Sequence, residues 1–150
     1  MSSNLKAFLD MIAISELGSK LLSSSDNGYN VLVGGHLFGG YGDHPRKFID
    51  LGKGLKSTAA GRYQILARYY DAYKKSLDLL DFSPASQDAI ATQMIKEQHA
   101  LDDIEAGRFD EAVKKCSNIW ASLPGAGYGQ HENSIADLRA HYTSAGGLLA

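Results

Sequence analysis

The sequence predicts an α+β fold, mainly helical, with a small irregular antiparallel sheet inserted after the first helix. Three observations predict it. An apolar stripe of helical period opens the chain. A glycine-rich stretch with several β-formers follows, from about residue 26 to 56. Helical periodicity then returns at Gly61 and continues nearly to the end. Runs of one element type followed by runs of another are the signature of an α+β architecture.

In the first segment Leu5, Phe8, Leu9, Ile12 and Ala13 recur at the spacing of one buried helix face. Three residues further along that stripe lies Glu16. Gly18 and the serines up to Ser25 end the helix. In the glycine-rich stretch, Tyr29 to Val33, Gly34–Gly35 and His36 to Phe38 read as a short hairpin. Phe48 to Leu51 supplies a third short strand, and Gly39 to Arg46, with Pro45, is the loop between them.

From there on, Leu66, Tyr69, Tyr70, Tyr73, Leu77 and Leu80 form one helical stripe. Ser83–Pro84 is a cap followed by proline at the first helical position. It introduces a second stripe of Gln87, Ile90, Ala91, Met94 and Ile95. Phe109, Ala112, Val113, Cys116, Ile119 and Trp120 form a third. Ile135, Leu138 and Tyr142 mark a last helix, stopped by Gly146–Gly147. No repeat or linker divides the chain, so residues 1–150 read as a single domain.

At 150 residues with 44% apolar and 21% charged side chains, the chain can bury a core without staples. Fifteen basic against 17 acidic residues leave a net charge of −2. A nucleic-acid binder would show a basic excess or stripe, and none is present. The single cysteine, Cys116, rules out a disulfide within the chain and sits on an apolar stripe, where it fills core. No apolar run reaches the roughly 18 residues of a spanning helix, so no membrane insertion is expected. Residues 1–20 carry Lys6, Asp10 and Glu16 among the apolar positions, which does not match a signal peptide.

Glu16 is the sharpest chemical signal. At the end of an apolar stripe its carboxyl should be partly buried, and burial raises a carboxyl pKa. The partial negative charge at a helix C-terminus pushes the same way. Such a glutamic acid can donate a proton to a leaving oxygen, but the pattern alone is more often that of a glutamate that caps or rims the core.

Ser57 to Gln64 is a polar entry to a helix whose small residues admit a ligand to the backbone. Gly52 to Thr58 is not a phosphate-binding loop, because no glycine directly precedes Lys56. Gly125-Ala126-Gly127-Tyr128-Gly129 follows no strand, which excludes a dinucleotide fingerprint. A glycine loop displaying a tyrosine suits a sugar face, or is a plain turn. The five histidines, His36, His44, His99, His131 and His141, show no metal-ligand spacing, so neither metal nor cofactor is expected.

Several long stretches carry a family resemblance: Gly28-Tyr29 through Val33-Gly34-Gly35, Asp43-His44-Pro45-Arg46-Lys47, Leu55-Lys56-Ser57-Thr58 through Gly61-Arg62-Tyr63-Gln64, Asp81-Phe82-Ser83-Pro84, and Cys116 through Gln130. In these the sequence resembles lambda-type phage endolysins, lytic transglycosylases of lysozyme-like fold, over roughly Ala7 to Gly147. The resemblance implies a single lysozyme-like catalytic domain that cleaves the β-1,4 bond between N-acetylmuramic acid and N-acetylglucosamine without water, leaving 1,6-anhydro ends. It implies Glu16, after Ser15, as the catalytic residue. It implies Ser57, Thr58, Tyr63, Gln64, Asn118 and Tyr128 as the substrate-binding residues.

The partner it implies is the peptidoglycan glycan strand, acted on by a monomer. It further implies accumulation in the host cytoplasm until a holin opens the way to the periplasm, without direct contact between holin and enzyme.

The chain departs from the family at two places. Ile14-Ser15-Glu16-Leu17 stands where the related sequence has tryptophan, serine, glutamate and glycine, and Asn30 stands where the lambda-type pattern has an aspartate. A hydrolase needs two carboxylates flanking the bond. An intramolecular hydroxyl makes the second dispensable, since the sugar holds its own nucleophile close. Two alternatives stay open: a hydrolytic muramidase using Asp26 or Asp43 as second carboxylate, and a non-catalytic wall-binding domain.

Overall fold

The structure is a computed structural model that describes residues 1–127 and 131–150. Its elements run in the order α1 (Ser3–Leu17), α2 (Ser19–Ser23), β1 (Ile49–Gly52), β2 (Leu55–Ser57), α3 (Ala67–Ser76), α4 (Pro84–Glu97), α5 (Leu101–Glu105), α6 (Phe109–Cys116) and α7 (Ile135–Ser144). The α+β prediction holds. The chain forms two compact units, Met1–Glu16 with Thr92–Ala150, and Leu17–Ala91.

The first unit is helical. The stripe on α1 is buried as the spacing requires, with Leu5, Phe8, Leu9, Ile12 and Ala13 all in the core. Phe8 meets the edge of Phe109 on α6 at 5.9 Å, and Phe109 packs on Tyr142 of α7 at 4.7 Å between ring centroids. The predicted third stripe is shorter than expected as a helix. It stops at Cys116, and Ile119 and Trp120 lie in the turns beyond, where Trp120 is still buried. Asp103, nearly inaccessible, takes Lys115 Nζ at 2.6 Å and Arg108 Nε at 2.8 Å. These two cations hold its carboxyl below the usual range.

The second unit carries the sheet. The predicted strand near residue 48 exists as β1, but its partner is β2 and not the 29–38 hairpin. Lys53 and Gly54, both at positive φ, make the two-residue turn that such an antiparallel pair favours. The expected hairpin is reduced to one bridge, Val31 to Leu37. Residues 31–33 are bonded along both edges: on the hairpin side Leu32 N donates to His36 O at 2.7 Å and Phe38 N to Asn30 O at 2.9 Å. On the other side Val33 N donates to Ala59 O at 2.9 Å and Gly61 N to Val31 O at 2.8 Å, so residues 31–33 also pair with 59–61. On the next helix, Tyr70 is buried, but α3 ends at Ser76 and Leu80 is exposed. Asp78 at φ +55° turns the chain out of the helix before Leu80.

The core of this unit is aromatic: Phe38, His44, Tyr70 and Phe82 pack at 4.8–6.2 Å. His44 Nε2 lies 2.8 Å from Ile65 O, and Nδ1 accepts from Arg46 N at 2.9 Å. A carbonyl only accepts, so the ring is the neutral tautomer with its proton on Nε2. Burial lowers its pKa accordingly.

The Tyr70 hydroxyl, in contrast, is buried without a hydrogen-bond partner among the described residues. An unsatisfied buried hydroxyl costs about 1–3 kcal/mol. Tyr70→Phe should therefore leave stability unchanged or raise it by about 1 kcal/mol, measured by urea unfolding; a clear loss would show that the hydroxyl is paired.

Candidate active site

Glu16 sits in the last turn of α1, half-buried. Ser122 Oγ donates to its Oε2 at 2.5 Å. Ser15 Oγ stands 2.8 Å from Ser122 Oγ. Asn133 Nδ2 donates to Ser15 Oγ at 3.0 Å and to Ser15 O at 3.1 Å. An amide nitrogen has no acceptor capacity, and each hydroxyl has one proton. Donation therefore runs one way: Asn133 to Ser15, Ser15 to Ser122, Ser122 to Glu16. Oε2 is occupied as an acceptor, which leaves Oε1 to carry an acid proton.

Burial raises the Glu16 pKa from 4.5 to about 7, against the lowering effect of the Ser122 hydroxyl. Removing that hydroxyl should raise it further. A hydrogen bond to a charged group is worth about 1.5–3 kcal/mol, or about 1–2 pH units. A carboxyl titration of Ser122→Ala by ¹³C NMR should show this; a midpoint unmoved from wild type would contradict the chain of donors.

Next to Asn133, the two carboxylate oxygens of Glu132 accept from Gly125 N and Gly127 N at 3.0 Å each. These amides lower its pKa.

In the second unit, the segment around Gly61 is held by Gln87. This side chain accepts from Arg62 N at 2.9 Å and donates to Phe82 O at 2.9 Å and Tyr29 O at 3.1 Å. The hydroxyls of Tyr29 and Tyr63 both donate to Asp88 Oδ1, at 2.9 and 2.6 Å. Arg62 lies 5.5 Å from both tyrosine ring centres. Gln64 adopts φ +53° and turns its amide back to Gly61 O at 2.8 Å.

A sequence model of the family described as Endolysin matches residues 6–149. The chain belongs to the endolysin family. It is 55% identical to the endolysin of Escherichia phage lambda, covering 96% of this chain and 92% of that protein. It is 48% identical to the endolysin of Escherichia phage P2, covering 98% and 95%. Among solved structures it is similar to bacteriophage lambda lysozyme complexed with a chitohexasaccharide, with a TM-score of 0.96 and 53% identity over 100% of this chain and 98% of that one. The lysozyme from bacteriophage lambda gives 0.92 and 52%, with the same coverage. The lysozyme-like fold expected from the sequence is thereby established for this endolysin.

The endolysin's expected site residues occupy different kinds of position. Glu16 is partly buried at the end of its stripe, as predicted. Asn118, in the same unit, is exposed and donates to Gln98 Oε1 at 2.7 Å. In the other unit, Ser57 and Thr58 line one cavity of roughly 540 Å³. Their hydroxyls also shape the chain: Ser57 Oγ accepts from Ala59 N at 3.1 Å, and Thr58 Oγ1 accepts from Ala67 N at 3.0 Å, at the start of α3.

Gln64 is half-buried, and Tyr63 is only 1% exposed with its hydroxyl engaged. Tyr63 is therefore placed to support the wall of this segment. Tyr128 lies outside the described residues. Ser122 and Asn133 were missed by sequence reasoning: they stand 106 and 118 residues from the groups they hold, so no local spacing signals them. Among the described residues no cluster of three or more His, Cys, Asp or Glu is placed to hold a metal ion.

Proposed function

We propose that this endolysin is a peptidoglycan lytic transglycosylase with Glu16 as its single acid and base. The observation that carries the proposal is the environment of Glu16: a carboxyl with its pKa near 7, one oxygen held by Ser122, the other left for chemistry. The proton on Oε1 passes to the glycosidic oxygen as the bond to the muramic anomeric carbon breaks. The muramic 6-hydroxyl then bonds to that carbon and gives its proton to Glu16, which restores the acid. The products are a free 4-hydroxyl on one fragment and a 1,6-anhydro ring on the other, with no water consumed. A pKa matched to the working pH serves both halves.

Three further observations support a lone carboxylate. Asp43 is held by Arg46, with Nε at 2.9 Å and NH2 at 3.2 Å, which keeps its pKa low. Asp26 accepts from the Tyr41 hydroxyl. Asn30 uses its side-chain oxygen to accept from Asp26 N at 2.8 Å. The lambda lysozyme solved with a chitohexasaccharide supports a glycan as substrate. On this reading Ser57, Thr58, Gln64, Asn118 and Tyr128 contact the strand, and the enzyme waits in the host cytoplasm until a holin gives it access to the periplasm.

Mass spectrometry of digested peptidoglycan tests the chemistry. The expected muropeptides carry 1,6-anhydro ends. Reducing ends, heavier by one water, would make the enzyme a hydrolytic muramidase. A folded chain that binds wall without cutting it would be a binding domain.

A further inference from the structure

The cavity that holds Ser57 and Thr58 has a chemical character that a neutral sugar does not require. Lys56 and Arg68 also line it, with Arg46 and Asp71 at its side. Both hydroxyls already accept a backbone N–H, so each has its own proton left to give. Lys56 is exposed, and Arg68 lies against the Tyr69 ring at 5.0 Å with donors to spare.

The acidic side chain at the cavity is already engaged by a cation. Asp71 receives Arg46 NH2 at 2.5 Å and NH1 at 3.1 Å, and that guanidinium also holds Asp43. Arg46 and its two carboxylates together carry one net negative charge, which Lys56 and Arg68 exceed, and the hydroxyls of Ser57 and Thr58 add donors. Phe48, 73% exposed, adds an apolar wall.

We propose that this cavity binds a carboxylate of the peptide stem that peptidoglycan carries on its muramic residues. The inference rests on the reading of the chain as a wall-cleaving enzyme and deepens it. A glycan strand offers hydroxyls and acetamides, which need acceptors as well as donors. A stem carboxylate needs donors and positive charge alone. The site would thus add recognition of the peptide to recognition of the sugar, through residues that take no part in bond cleavage.

The experiment compares peptide-bearing glycan strands with strands stripped of peptide by an amidase, using wild type and the Lys56→Ala/Arg68→Ala double variant. Exposed ion pairs contribute about 0.2–1 kcal/mol each, so the double variant should raise KM on peptide-bearing strands by about twofold to thirtyfold and leave kcat and the stripped substrate unchanged. Added salt should narrow the wild-type preference in the same way. Equal losses on both substrates, or no loss on either, would overturn the proposal.

A second measurement separates this outcome from failure of the enzymatic reading. A soluble stem tetrapeptide is titrated into folded Glu16→Gln and followed by NMR. Shifts centred on residues 56–58 and 68 support the site even if no strand is cut. Shifts elsewhere, or none at millimolar peptide, overturn it.

Discussion

Glu16→Gln is expected to lower the turnover of peptidoglycan by about 10²–10⁴-fold while the chain stays folded, since that is the usual worth of a positioned general acid or base. Glutamine keeps the shape and can still accept from Ser122, but it has no acid proton to give and cannot take one from the sugar hydroxyl. The same variant carries a second, independent signature in stability. Unfolded, the carboxyl titrates near 4.5; folded, near 7. Between those values the folded state holds the extra proton, so the stability this group contributes is complete below pH 4.5 and is lost as pH rises through 7.

At pH 8 the native protein therefore carries a buried anion at a cost of up to about 3 kcal/mol. Glu16→Gln should unfold at the same urea concentration as wild type at pH 4 and at a higher one at pH 8. Wild-type turnover should fall above pH 7 as the acid form is lost. Retained lysis by the variant would remove Glu16 from the mechanism. Matching urea midpoints at both pH values would remove the buried, proton-holding carboxyl.

The second large effect is structural. Gly61 adopts φ +83°, and a Cβ there would lie 2.2 Å from Gln87 Oε1 and 3.1 Å from the Phe82 ring. Gly61→Ala therefore meets two costs at once. The backbone conformation is disfavoured for alanine by roughly 1–2 kcal/mol. The clash expels the side chain whose amide ties Arg62, Phe82 and Tyr29 together, and overpacking of this kind costs about 1–3 kcal/mol. A total of about 2–5 kcal/mol is a large share of the stability of an ordinary domain. Thermal or urea unfolding should show it directly. Because the turn carries Tyr63 and Gln64, activity should fall in the folded fraction as well. A variant as stable as wild type would mean that Gln87 has an alternative rotamer with equal bonding.

How much could be read in advance depended on the range of the interaction. The stripe from Leu5 to Glu16 was legible because helical period is local, and Glu16 at its end follows from counting. Ser83–Pro84 announced α4 for the same reason: a cap acts within one turn. At 29–38 the turn was legible, but the pairing of the other strand edge with Ala59 and Gly61, almost thirty residues away, was not, because local spacing does not encode it. The helix expected to reach Leu80 stops at Ser76 because Asp78 takes a left-handed conformation that apolar spacing does not encode. Tyr63 was expected from the resemblance to bind substrate, and its ring lies in the core with its hydroxyl bonded to Asp88 and Arg62, partners that no local spacing signals.

By itself the sequence determined the α+β class, the order of the main helices, the position of Glu16 and the family to which these residues belong. Each of these depends on residue identity or on contacts within a few turns. Only the tertiary structure decided which carboxyl oxygen of Glu16 is taken by Ser122, which hydroxyls are spent as acceptors, and which aspartates are already paired. Those are properties of hydrogen-bond direction and burial. They arise when Asn133, Ser122 and Glu16, far apart along the chain, are brought within bonding distance.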